Sequence, residues 1–326
     1  MKKYLTLVLT AAFFMVMIPV SVYGIPEEQY VNEENTTLSL REVSGAAEDM
    51  TISVYNSESG EISEMNFRKY IIGVVAGEMP VEFHSEALSA QCAAAATVAR
   101  RRMMLGGSDS LSGAVISTDP SVHQAYLTEE QMRERWGDDF EKYYEKLVSA
   151  VDEAIGYGIF YDGQLIDAVY HAVSTGVTED AVNVWSDSED YLKSTDSEGD
   201  KLSPKYSSLL VVPFSEFQEK MKEKGVVLGE DKALWISGGV YSDAGTLLSV
   251  NIGDKSFSGS EIRDMFSLRS AAVTMSITSE GVNMDVKGYG HGVGLSQYGA
   301  DYLARQGYTW QEILTHYYSG VTVEKL

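Results

Sequence analysis

The spacing of hydrophobic and polar positions along the chain changes several times, and each change marks an element. "MTISVYNSES", starting at Met50, alternates as a strand does. From Asn66 the apolar positions Phe67, Tyr70, Ile71, Val74 and Val75 fall at helical spacing, and Gly77 with Pro80 stops the run. A second helix is predicted over about 85–105, where "AQCAAAATVA" offers a face small enough for close packing. Thr128 with Gln131 forms a capping-box start for a short helix ending at Gly137, and another helix covers about 139–155. In "IFYDGQLIDAVYHAV" two strand-like runs flank Asp162-Gly163, a hairpin signal.

Residues 174–205 read as an ordered loop around Trp185. The strand runs "LLVV", "ALWISGGVY" and "LLSVNIG" follow, with a helix near 215–224 between the first two. Ser258 with Glu261 caps one more helix, a hairpin is predicted near 273–287, and Thr309 with Glu312 caps the last helix. Helices and antiparallel hairpins mix without regular strand–helix alternation. The pattern therefore favours an α+β fold over a doubly wound sheet.

Ahead of these elements, Lys2 and Lys3 precede an apolar stretch, Tyr4 to Tyr23. It reads as an uncleaved membrane anchor over 1–24 that leaves the rest of the chain outside, or a secreted protein if the segment is removed. Residues 25–49 are acidic with little periodicity and read as a linker, so the folded unit is expected over 50–326.

Charge narrows the function. Across 326 residues, 25 Lys and Arg face 48 Asp and Glu, a formal charge of −23. That balance argues against nucleic acid as a partner and disfavours an anionic membrane surface, while a sugar chain stays compatible. The single cysteine, Cys92, excludes an intrachain disulfide and reads as buried and inert.

Three segments could carry chemistry. Glu78 stands at the end of the first helix, where the macrodipole disfavours a negative charge, among Val74, Val75, Met79, Val81 and Phe83. Most glutamates at a helix end are simply solvated. Here dipole and desolvation both favour the protonated form, as a general acid requires. In "GYGHGVGLSQYGA", glycines at 288, 290, 292 and 294 let backbone approach a ligand, and His291 between them is poorly walled in as a core residue. Ser296 and Gln297 open the next helix. In "YHAVSTGVTEDAVNVWSDSEDYLKS", Tyr170, Trp185 and Tyr191 supply flat apolar faces and Ser174, Thr175 and Lys193 supply donors, a mix that suits sugar rings. A loop pinned by Trp185 explains the same residues. The five histidines show no metal-binding spacing, His316 reads as packing among aromatics, and there is no nucleophile elbow.

Together "YIIGVVAGEMPVEFHSEALSAQ", "STGVTEDAVNVWSDSEDYLKS" with Asp200 downstream, and "GYGHGVGLSQYGA" resemble the SpoIID/LytB family, from about residue 50 to the end and including the N-terminal anchor. The resemblance implies a glycan-binding groove and a lytic transglycosylase acting on peptidoglycan strands stripped of their peptides, without a cofactor. It puts the catalytic glutamate on Glu78, and Tyr191, Lys193, His291 and Gln297 in the groove, with Gln91, Ser174 and Ser296 as further substrate-binding candidates. A cell-wall amidase and membrane proteins of the engulfment machinery are the implied partners. The family's amidase-enhancer branch implies the alternative, a non-catalytic glycan-binding module.

The chain departs from the pattern at several points. Ser89 stands where relatives often have Lys, Ala96-Thr97 where they have Arg-Thr, and Ser174-Thr175-Gly176 where they have Ser-Gly-Gly. Arg100 is a candidate to replace the missing cations. Some relatives hold zinc where this chain has Ser117, Val122 and His123, so no zinc site is expected.

Overall fold

The computed structural model describes residues 38–185 and 189–326. The anchor over 1–24 lies outside the described residues, as does the linker as far as residue 37. Among the described residues no helix is long and apolar enough to cross a membrane. The last part of the segment read as linker packs inward: Val43 and Ala47 are buried beside a helical turn at Leu40–Val43.

The fold is mixed α+β. Strands β1 (Thr51–Tyr55) and β2 (Ile62–Asn66) pair antiparallel and lead into helix α1 (Phe67–Glu78). Asn66 caps α1, its side-chain oxygen accepting the Lys69 N–H at 3.0 Å. Helix α2 (Ser85–Leu105) is buried along most of its length. It touches α1, α4 (Phe140–Ala154) and strand β4 (Tyr157–Tyr161), with β3 (Ile116–Ser117) and α3 (Glu129–Trp136) between α2 and α4 in the chain. Its alanines make that enclosure possible, because small side chains let neighbouring elements approach the backbone closely. The predicted capping box at Thr128 is present, with Thr128 Oγ1 accepting the Gln131 N–H.

Asp162 and Gly163 both take positive φ, 48° and 76°, and turn β4 into β5 (Gln164–Leu165). The rest of that predicted hairpin goes elsewhere. Strand β6 (Tyr170–His171) pairs in parallel with β13 (Leu295–Ser296), a long-range ribbon that period alone does not reveal. Between these two strands the chain builds a second hydrophobic core from Val212 to Val286. Here β7 (Ser207–Val212) joins the hairpin β11 (Val273–Ile277) and β12 (Val282–Lys287). Helix α5 (Phe214–Glu223) follows β7, and β8 (Ile236–Tyr241), β9 (Leu247–Ile252) and β10 (Lys255–Phe257) form another sheet ahead of α6 (Gly259–Phe266). The predicted strand "ALWISGGVY" begins only at Ile236, because Lys232–Leu234 forms a 3-10 turn capped by Asp231. The chain then returns to the first core through β13, α7 (Gln297–Arg305) and α8 (Trp310–Tyr317). It closes with β14 (Thr322–Lys325) on β4.

Arg100 is fully buried and donates to the Val43 and Ile155 carbonyls, both at 2.9 Å, with its guanidinium 4.6 Å from the centre of the Phe67 ring. Phe67 begins α1 and Glu78 ends it, so the two lie about 16 Å apart along the helix at ~1.5 Å per residue. Arg100 thus ties the N-terminal turn and α2 together, and it is not the replacement cation the sequence suggested. Arg100→Ala is expected to cost about 2–4 kcal/mol, since two buried carbonyls lose charged donors. A chemical-denaturation midpoint equal to wild type would contradict that role.

Candidate active site

Helix α1 continues through Gly77 and ends at Glu78, with Met79 extended. Gly77 is therefore not the stop that the sequence implied. A Cβ there would lie 2.9 Å from the Ala125 carbonyl carbon and the Tyr126 nitrogen, and one at Gly73 would collide with the Tyr126 ring. The two glycines sit one turn apart and form a trough in which the backbone of 124–127 lies. Leu127 N–H donates to the Gly73 carbonyl at 3.0 Å. Ala125 N–H then reaches Glu78 Oε1 at 2.7 Å. Gly77→Ala is expected to lift this segment and cost about 1–3 kcal/mol. An unchanged thermal unfolding midpoint would count against the trough.

Glu78 is only 4% exposed. Tyr170 O–H, from β6, donates to the same Oε1 at 3.3 Å, and the Gln297 side chain at the start of α7 also hydrogen-bonds the carboxyl. Behind Tyr170 the chain of bonds continues. Gln124 Nε2 donates to the Tyr170 hydroxyl at 3.0 Å, and Tyr70 O–H donates to Gln124 Oε1 at 3.1 Å. Gln297 Nε2 is 3.4 Å from Gln91 Oε1, so α2 joins the same cluster. Burial pushes the Glu78 carboxyl up to about 8, against the pull of the Ala125, Tyr170 and Gln297 hydrogen bonds. Burial therefore favours the protonated acid at neutral pH. Oε1 accepts two of these hydrogen bonds, which favours Oε2 as the oxygen that carries the proton. Glu78 borders a cavity of about 220 Å³ shared with Val81, Glu82, Arg135, Trp136 and Lys205.

A second buried carboxylate organises the other predicted residues. Asp200 Oδ2 accepts Ser174 N–H at 2.8 Å and Ser174 Oγ–H at 2.5 Å, while Oδ1 accepts Ser296 Oγ–H at 2.7 Å. Asp200 thereby fixes both ends of the β6–β13 region. His291 is buried, with its ring 4.9 Å from Trp185 and 5.7 Å from His171. Val293 N–H donates to its Nδ1 at 3.0 Å. The sequence reading expected poor walls around this histidine. Positive φ at Gly288, Gly290, Gly292 and Gly294 instead curls the segment and turns His291 inward.

Gly-His-Gly geometry, a buried glutamate at a helix break and the α+β fold all direct attention to one family. The family model for "Stage II sporulation protein", SpoIID, matches residues 55–161. "Stage II sporulation protein D" of Bacillus amyloliquefaciens is 34% identical over 90% of this chain and 87% of its own length. The protein of the same name from Bacillus subtilis is 32% identical over 90% and 86%. The chain belongs to the SpoIID family. An "Amidase enhancer" of Bacillus subtilis is also similar, 28% identical over 77% of this chain and 40% of that protein.

In this SpoIID family member, two of the residues predicted from sequence, Gln91 and Gln297, gather at Glu78, and Ser174 and Ser296 bind Asp200. Tyr191 is buried with its ring 5.5 Å from Tyr161, and its hydroxyl accepts the Asp167 N–H. Lys193 pairs with Asp180 at 3.5 Å. Ser89 Oγ donates to the Ala150 carbonyl of α4, and Cys92 and Arg100 reach Val151 and Ile155 beside it. Helical spacing puts Ala96 on that same face, whereas Gln91 is on the face turned towards Glu78. Ser89 and Ala96 therefore do not mark cations missing beside the acid.

Reasoning from sequence missed the Ala125 N–H, the Gln124–Tyr170 relay, and Arg135 and Lys205 at the cavity. Only Tyr170 carried a signal, as one of the flat aromatic faces suited to a sugar ring. The residues at the zinc positions do not suit a metal. Ser117 and Val122 are poor ligands, and His123 Nδ1 already accepts the Ser117 N–H at 3.2 Å. Among the described residues no group of three or more His, Cys, Asp or Glu could hold a metal ion. Prolonged chelation is expected to leave the melting temperature unchanged, and stoichiometric zinc with chelator-sensitive melting would overturn that.

Proposed function

We propose that this chain is a peptidoglycan lytic transglycosylase of sporulation, with Glu78 as general acid and then base. The observation that carries the reading is a buried carboxyl at the rim of a cavity, held by three donors and pushed by burial up to about 8. Oε2 donates its proton to the glycosidic oxygen between N-acetylmuramic acid and N-acetylglucosamine. The bond from that oxygen to the muramic C1 breaks, and the N-acetylglucosamine leaves with a free 4-hydroxyl. The muramic acid's own C6 hydroxyl oxygen attacks C1, and its proton passes to the Glu78 carboxylate. The product ends in a 1,6-anhydro ring, the acid is regenerated, and no water is consumed.

One carboxylate suffices because the substrate supplies the nucleophile, unlike the paired carboxyls of ordinary glycosidases. The three donors match the intermediate stage, since each stabilises the transient carboxylate and burial then favours its reprotonation. Activity is expected to fall as pH rises through the Glu78 value of about 8. Tyr170→Phe removes a bond that holds this value down, so the basic limb should move to higher pH while the low-pH rate drops. A limb that stays in place would separate Tyr170 from the acid.

The anchor over Tyr4–Tyr23 would hold the protein at the cell membrane with its folded part outside, facing the wall. An amidase that strips peptides and other engulfment proteins are the proposed partners. The similarity to the amidase enhancer supports a second reading, a glycan-binding module that stimulates a cell-wall amidase. The two readings part on one assay: release of 1,6-anhydro ends from peptide-stripped strands by the purified protein alone belongs only to the first.

A further inference from the structure

The cavity beside Glu78 has an unusual charge for this chain. Against a net charge of −23, it is lined by two cations, Arg135 and Lys205, with Trp136 between apolar walls. Arg135 Nη1 donates to the Ala76 carbonyl at 3.4 Å, which holds the guanidinium at the last turn of α1, in the wall of the cavity that Glu78 also borders. The Lys205 ammonium sits 5.7 Å from the centre of the Tyr298 ring. Burial disfavours both charges. The Glu82 carboxylate favours the charge on Arg135, whereas another cation, Arg269, disfavours that on Lys205. With Glu78 protonated, Arg135 and Lys205 outweigh Glu82, the other acid in the cavity wall. Volume limits the occupant: about 220 Å³ is below the roughly 300–1,000 Å³ of pockets for drug-sized ligands. It suits one sugar ring or its substituent.

We propose that Arg135 and Lys205 form a subsite for the free 3-O-lactyl carboxylate of muramic acid, the group exposed when a peptide is removed from the glycan. This rests on the glycan-cleaving reading of Glu78 and deepens it. The carboxylate is carried on the ring whose C1 bond is to be broken, so binding it here places that bond against the acid. A guanidinium fork suits a carboxylate, and a bound carboxylate offsets the burial that disfavours both charges. A peptide in amide linkage removes the charge and adds bulk at the same point. The cavity would thus distinguish stripped from unstripped strands by charge and by size. A bound carboxylate also reinforces protonation of Glu78, because a like charge nearby disfavours ionisation.

Binding can be measured without turnover in the Glu78→Gln protein. Two probes are needed: peptide-stripped strands, and the same strands with their lactyl carboxylates converted to N-methylamides. The free acid should bind about tenfold more tightly or better, the worth of a charged hydrogen bond, and the preference should shrink with salt. Arg135→Gln with Lys205→Gln should abolish the preference by weakening only the acid form, while Arg135→Lys with Lys205→Arg should keep most of it. Equal binding of the two probes, binding of neither, or a preference that survives the double Gln change would overturn the subsite. Catalysis is read separately. If the preference is present but wild type releases no anhydro ends, the subsite stands and the transglycosylase reading fails. If wild type cleaves both probes alike, that reading stands and the subsite fails.

Discussion

Glu78→Gln is expected to lower strand cleavage by about two orders of magnitude or more, the scale of a lost general acid, with glycan binding retained. The substitution keeps the shape and removes the titratable proton. The amide oxygen of the new side chain can still accept from Ala125 N–H and Tyr170 O–H, the two bonds that Glu78 Oε1 accepts at 2.7 and 3.3 Å. The trough at Gly73 and Gly77 should therefore stay intact, and the variant should melt as one cooperative unit. Substantial turnover by the folded variant would remove Glu78 from the chemistry, leaving the buried cluster with a structural role only.

The same variant should change how stability depends on pH. Glu78 titrates at about 8 in the folded protein, against 4.5 when unperturbed. Its raised value means the folded state holds a proton that the unfolded chain gives up earlier. The corresponding stability is fully present below about pH 4.5 and is lost as pH rises to about 8. The loss amounts to roughly 5 kcal/mol at most, from ~1.4 kcal/mol per pKa unit. Glutamine carries no such charge, so the wild-type minus variant difference in unfolding free energy should fall across this window. Denaturation at about pH 5 and about pH 9, on either side of most of the window, measures it. A difference that is flat between those values would mean that Glu78 is already ionised and solvated at neutral pH.

Local rules carried far along this chain, and failed where distant segments meet. The capping boxes at Thr128, Ser258 and Thr309 are all present because each is a contact between residues three apart. The helical spacing of α1 and the span of α2 were likewise written in the local pattern. Pairing of β6 with β13 was not, since it joins residues over a hundred positions apart through a two-residue ribbon. Gly77 shows the same limit. Sequence offers a helix stop, and only the backbone of 124–127 lying against it explains the absence of a side chain. Glu78 was legible because its causes, an apolar flank and a helix terminus, are local. Its partners were legible only in part: the family resemblance named Gln297 and the aromatic pattern named Tyr170, but Ala125 left no signal, and nothing local showed that these three distant parts of the chain meet at the carboxyl. Ser89 and Ala96 carry the complementary lesson: the face of a buried helix to which a residue belongs depends on what surrounds that helix.

The most direct measurement is the chemical form of the ends released by wild-type protein from peptide-stripped glycan strands in water enriched in ¹⁸O. Internal attack by the muramic C6 hydroxyl predicts 1,6-anhydro ends, one water lighter than reducing ends and free of label. Reducing ends carrying ¹⁸O would show a hydrolase, and no released ends under conditions where the strands bind would leave Glu78 without a catalytic role.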